Sequence, residues 1–139
     1  MSRNNRIGEP AIVYRRSMRI DEDDFQVLYL DSVGPPIATS EDASDLVGRA
    51  WSENATLIAV PVSRLDPEFF RLSSGFAGEL TQKLVNHRLQ LAVLGDVGDH
   101  VDASVSLRDY VWESNRGSHV WFLADRDALE TKLAARRPS

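Results

Sequence analysis

Ser73-Ser74-Gly75 stands where a loop gives way to a helical pattern, in the stretch RLSSGFAGELTQKL. Unpaired backbone N–H groups and the dipole at a helix start favour an anion. The serines could therefore carry a phosphate, cradle an anionic ligand or supply a nucleophile. The plainest role is a helix cap, with Glu79 too far along to complete a capping box. Gly75 and Gly78 suit close packing or close backbone approach. A nucleophile needs a base and an orienting acid. The three histidines fall at a helix end (His87), in a loop (His100) and at a strand start (His119), and no GxSxG elbow is present. No catalytic residue is expected here.

Two further stretches hold polar clusters. GDVGDHVD (95–102) offers Asp96, Asp99, His100 and Asp102 after a predicted strand. Oxygen ligands suit Mg²⁺ or Ca²⁺, but the spacing lacks the glycine and final glutamate of a calcium loop. A solvated acidic loop without metal is expected. YVWESNRG (110–117) gathers Glu113, Asn115 and Arg116 around a helix end. Arg116 and Asn115 could hold a carboxylate or other anion; equally, Arg116 complements the helix C-terminus and Asn115 begins its stop. Trp112, Trp121 and Phe122 are read as core.

The elements that must position these residues follow from hydrophobic periodicity. Residues 1–10 read as a loose tail, and 11–136 as a single domain. Ala11–Arg16 and Phe25–Asp31 are predicted strands joined across the acidic turn Asp21–Asp24. After the break at Gly34-Pro35-Pro36, Ser40 is the expected cap of a helix whose inward face is Ala43, Leu46, Val47, Ala50 and Trp51. Thr56–Val62 is a continuous apolar run, the pattern of a strand covered on both faces. Asp66-Pro67-Glu68 starts a helical turn carrying Phe69 and Phe70. The second main helix covers Gly75–Arg88, with Phe76, Ala77, Leu80, Leu84 and Val85 inward. Leu89–Gly95 is a strand. Ser104–Asn115 is a helix anchored by Val105, Leu107, Val111 and Trp112, with Gly117 as its stop. His119–Ala124 is the last strand, and Asp125 caps a helix that buries Leu129 and Leu133. Strands alternating with helices make an α/β fold: a mixed, mostly parallel sheet of about five strands with about four helices.

The totals exclude several function classes. A chain of 139 residues is one domain by size. Its 42% apolar and 27% charged residues are those of a soluble globular chain. There is no cysteine, so disulfides and thiolate chemistry are excluded. No apolar run approaches the roughly 18 residues that span a bilayer. The opening MSRNNRIGEP lacks a signal peptide's apolar core, so the cytoplasm is expected. A net charge of −5 argues against nucleic acid. Arg3, Arg6, Arg15, Arg16 and Arg19 near the start, and ARRPS at the end, read as solvated termini. No Walker loop, Rossmann fingerprint or paired-carboxylate motif is visible, and no cofactor is expected.

SEDASDLVG (40–48), DPEFFRLSSGFAGELTQKLVNHR (66–88), LAVLGD (91–96), LRDYVWESNRG (107–117) and VWFLADRDAL (120–129) together resemble the bacterial family called domain of unknown function 4180. The resemblance implies a small α/β domain and supplies no activity. It marks Ser74, Gly75, Ala77, Gly78, Glu79, Asn86, Arg88, Gly95, Asp96, Glu113, Ser114, Asn115 and Gly117 as motif positions. More distantly, the element order resembles that of STAS domains such as anti-sigma factor antagonists. There, an aspartate-serine-serine-glycine turn opens the second helix and a serine is phosphorylated by a partner kinase. LSSG (72–75) falls at that place, with Leu72 in the aspartate's position and SRLDPEFFR intervening after the strand.

The expected function is a STAS-like, non-enzymatic regulatory or interaction module. Ser73, Ser74 and Gly75 would be its switch or anion-binding turn, and a protein partner or a second copy its target. The alternative is a small-molecule-binding protein or enzyme. Its pocket, at the strands' carboxyl ends, would draw on Ser74, Glu79, Asp96, Glu113, Asn115 and Arg116.

Overall fold

A computed structural model of the chain describes residues 11–15 and 26–136. The expected tail 1–10, the acidic turn Asp21–Asp24 and the N-terminal arginines other than Arg15 lie outside them. Among the described residues five strands form one sheet: β1 (Ala11–Arg15), β2 (Gln26–Leu30), β3 (Leu57–Pro61), β4 (Gln90–Leu94) and β5 (Val120–Leu123). They lie in chain order, with β1 antiparallel to β2 and every later pair parallel. The expected mixed, mostly parallel α/β sheet is what forms.

Among the described residues six α-helices accompany it: α1 (Ser40–Ser52), α2 (Pro67–Phe70), α3 (Phe76–Asn86), α4 (Gly98–Ala103), α5 (Val105–Arg116) and α6 (Arg126–Arg136). Successive strand residues point to opposite faces, and each face has its own core. Leu28, Ile58, Val60, Leu91, Val93 and Phe122 pack with residues of α1, α2, α3 and α5. Val27, Tyr29, Leu57, Ala59, Ala92 and Trp121 pack with Leu129 and Leu133 of α6. Both faces are therefore dry, which is why β3 reads as an unbroken apolar run. On the α6 side the Tyr29 hydroxyl donates to Glu130 at 2.8 Å. Burial, then that hydrogen bond, pushes the phenol's pKa upward.

Several expectations change in detail. The cap of α1 is Thr39, one residue before the expected Ser40. Its hydroxyl accepts from the Asp42 N–H while Asp42 accepts from the Thr39 N–H, a complete capping box. The stretch expected as a loop after β4 contains the six-residue α4, too short to show a periodic face in sequence.

Three expected core anchors are exposed: Trp51, Val105 and Trp112. On α5 the buried side is built on Leu107, with Tyr110 and Val111 packed beside it. Val105 and Trp112 lie roughly half a turn away, since each residue advances about 100°. Two apolar stripes share this helix, and only one meets the sheet. Trp51 sits on the flank of α1's face and meets His87 edge-on at 6.0 Å. Trp121 and Phe122 are buried as expected.

Because the strands lie in chain order, no crossover reverses direction along the parallel part of the sheet. Among the described residues there is thus no crevice of the kind that a reversal opens for ligands in doubly wound folds.

Candidate functional site

The segment between β3 and α3 is built by short-range rules. Asp66 caps α2 by accepting from the Glu68 N–H at 3.0 Å, and Pro67 fills the first helical position. Phe69 and Phe70 are buried. A single 3-10 turn, Leu72–Ser74, follows and ends at Gly75, whose φ of +83° is left-handed. A Cβ at Gly75 would touch nothing, so the backbone conformation, not space, calls for glycine.

The serine pair divides its labour. Ser74 Oγ donates to the Glu68 carbonyl at 2.8 Å and accepts from the Phe76 N–H at 3.2 Å. It joins the end of α2 to the start of α3, while the N-cap position itself is Gly75, so the expected serine cap does not form. Ser73 is exposed, and its hydroxyl has no hydrogen bond among the described residues.

Ser73 lines a groove of about 910 Å³ between the segments leaving β3 and β4. One wall is Pro67, Phe70, Arg71 and Leu72; the other is Asp99, His100, Ala103, Ser104 and Ser106. The His100 ring lies flat on Phe70, 4.0 Å between centroids and 9° from parallel, tying α4 to α2. Ser104 caps α5 by accepting from the Leu107 N–H at 3.1 Å. Arg71 pairs with Glu68 at 2.6 Å, and that carboxylate holds its guanidinium still more firmly protonated. Among the described residues no serine hydroxyl hydrogen-bonds a histidine, and no cluster of histidine and carboxylate residues could hold a metal.

The other predicted site residues are scattered. Glu79 hydrogen-bonds Ser40 Oγ between α3 and α1. Asp96 accepts from the Gly98 N–H at 2.8 Å and turns the chain into α4. Glu113 and Arg116 are exposed on α5, and the Arg116 guanidinium stacks 4.6 Å over Trp112. Only Ser73 of the predicted set lines the groove.

Asn115 is committed to structure. Its Oδ1 accepts from the Phe122 N–H at 2.7 Å, and its Nδ2 donates to the Phe122 carbonyl at 3.2 Å. A side-chain amide carries the same donor and acceptor as a peptide, so Asn115 stands in for a missing neighbour strand on the open edge of β5.

Sequence reasoning missed Arg64, which is 5% exposed. It donates from Nε to the Pro35 carbonyl at 2.8 Å and from Nη1 to the Asp31 carbonyl at 2.9 Å. Its guanidinium lies so close to Gly34 that a Cβ there would stand 2.8 Å from Cζ. The signal that could have found it was the glycine-proline break at 34–36, which needs a partner for its carbonyls.

Among the described residues no helix is long and apolar enough to cross a membrane. No curated protein and no solved structure matches the chain. The model of the family described as Domain of unknown function (DUF4180) matches residues 22–133, most of the length, and the chain belongs to that family.

Proposed function

We propose that the chain is a non-enzymatic regulatory module of STAS-like type, acting in the cytoplasm by protein contact, with Ser73 as its switch. The observation that carries this is the division within the serine pair. Ser74 is bonded into the backbone on both sides, whereas Ser73 presents an uncommitted hydroxyl at the rim of a groove. A phosphate there would add about −1.5 to −2 charges. It would offer Arg71 a second anionic partner in competition with Glu68 and so alter the groove's wall. The element order, two strands and then helices alternating with strands, supports the STAS-like part of the reading.

The test is incubation of the protein with ATP and a lysate of its source, followed by mass-spectrometric mapping and partner capture. Phosphate at Ser73, and capture that differs between the wild type and Ser73→Ala or Ser73→Asp, is the expected result. No phosphate at Ser73, with equal capture by all three, would sink the switch.

A second reading, small-molecule binding, is favoured by one observation: the groove's 910 Å³ lies within the roughly 300–1,000 Å³ of ligand sites. Titration with inorganic phosphate and small carboxylates, followed by NMR at His100 and Ser106, separates the two. Saturable shifts confined to the groove favour a ligand.

A further inference from the structure

Val105, Arg108, Asp109 and Trp112 fall at spacings of three, one and three on α5, a single helical face. It is the face turned away from the sheet. Val105 is 63% and Trp112 61% exposed, and the side chains of Arg108 and Asp109 are 62% and 71% exposed. A tryptophan this open to water, with a valine two turns below it, is an uncovered apolar stripe with a charge pair at its centre.

We propose that this stripe is a homodimer seam, along which α5 packs antiparallel on α5 of a second copy about a two-fold axis. The order along the stripe is apolar, basic, acidic, apolar, and so it complements its own reverse. The antiparallel alignment sets Val105 opposite the second copy's Trp112 and Arg108 opposite the second copy's Asp109. The two-fold axis then repeats both contacts. A parallel alignment would set Arg108 against Arg108, like against like.

The stripe carries one positive and one negative charge. That neutrality suits a copy of itself better than a strongly acidic or basic partner. Within one chain Arg108 and Asp109 approach only to 3.9 Å, an exposed contact of little strength, so both remain available. Arg116 stacks on Trp112 and limits the freedom the indole would lose on docking. Glu113, on the rim, falls beside the start of the second copy's α5, where the helix dipole favours a carboxylate.

The size of the seam fixes how tight it can be. A helix of 12 residues is about 18 Å long. It covers less than the roughly 800 Å² per partner of a standard interface. The expected dimer is therefore weak and reversible, with a Kd of order micromolar or above.

Sedimentation of the full chain from about 1 μM to about 1 mM tests this, a span that brackets such affinities. A reversible monomer–dimer equilibrium is expected, weakened at least about tenfold by Trp112→Ala, the loss of roughly 1.4 kcal/mol. Arg108→Asp alone and Asp109→Arg alone each set like charges across the axis and should stay monomeric. An equimolar mixture of those two variants should form a mixed dimer, because each again meets the opposite charge. All the substituted positions are exposed, so folding, checked by circular dichroism, should be unaffected. A monomer across the whole range overturns the proposal, and so does a dimer indifferent to all these changes. Either failure leaves the Ser73 reading untouched, since the seam and the groove share no residue.

Discussion

Between β2 and β3 the loops leaving the carboxyl ends are bolted together; between β3 and β4 they stand apart. In the first corner Arg64 holds the carbonyls of Asp31 and Pro35, and Ser63 Oγ donates to the Ser32 carbonyl at 2.8 Å. A short parallel bridge pairs Ile37 with Leu65, the Ile37 N–H donating to the Arg64 carbonyl at 2.7 Å. The hollow left there is about 350 Å³. The second corner keeps a groove of about 910 Å³, crossed by the Phe70–His100 stack. Two corners of one sheet thus put polar residues to opposite uses. In the first, polar atoms are spent on backbone; in the second, hydroxyls are left over. Leftover capacity, more than residue type, marks where recognition can occur.

The comparison breaks most visibly at Arg64. Arg64→Ala takes the charged donor from the Asp31 and Pro35 carbonyls and removes a buried guanidinium that fills the corner. About 3 kcal/mol of stability should be lost, read from urea unfolding. Arg64→Lys should recover less than half, because a point-like ammonium cannot reach both carbonyls as a fork does. A loss under about 1 kcal/mol would mean the corner is held by its backbone bridge alone. Groove variants should behave differently, which the serine pair tests directly.

Asn115 comes next in size. Asn115→Leu removes both bonds to Phe122 and should cost about 2 kcal/mol. Asn115→Asp keeps the acceptor but turns a carboxylate oxygen toward the Phe122 carbonyl, so it should cost at least as much. Hydrogen exchange at the Phe122 amide is the finer reading. Protection should fall in the leucine variant and persist in part in the aspartate variant.

Both residues show what the sequence could and could not reveal. β3, the burial of Leu129 and Leu133, the helical turn opened at Asp66 and the cap Asp125 were legible because they depend on neighbours within a turn or two. Arg64 and Asn115 work on backbone across folds of the chain; Arg64's acceptors lie 29 and 33 residues away. No local pattern encodes such a reach, so Asn115 read as a ligand candidate and Arg64 as nothing. Trp112 was misplaced for another reason. Its spacing from Val105 is helical, but periodicity does not say which of two apolar stripes meets the sheet. Ser73 and Ser74 were legible as a pair. Their separation into a bonded and an open hydroxyl depended on where the Glu68 carbonyl ended up.

That separation predicts a smaller, sharper contrast. Ser74→Ala should cost about 1 kcal/mol, the net worth of its hydrogen bonds to the Glu68 carbonyl and the Phe76 N–H. Ser73→Ala should stay within about 0.5 kcal/mol of the wild type, as surface changes usually do. Equal effects in chemical unfolding would erase the distinction on which the proposed switch depends.

The smallest effect is one of pH, and it belongs to the bolted corner alone. Asp42 closes the chain that runs from β2 into α1, accepting from the N–H groups of Ala38 at 2.9 Å and Thr39 at 3.0 Å. The Ala38 N–H above all, helped by Thr39 and opposed by partial burial, lowers its pKa below the ordinary 3.8. A carboxylate depressed in the folded state binds protons more readily when unfolded. Its stabilisation is therefore complete above that ordinary value and is lost as pH falls through the lower folded value. The stability gap between wild type and Asp42→Ala should be level from neutral pH down to about pH 5 and then narrow with further acid. Amide exchange at Ala38 and Thr39 should quicken over the same interval once corrected for intrinsic rates. The amides of Ser73 and Ser106 in the groove have no such carboxylate lock and should not follow. A gap that stays constant to the lowest accessible pH would mean that the Thr39 hydroxyl, rather than the charge on Asp42, holds this corner shut.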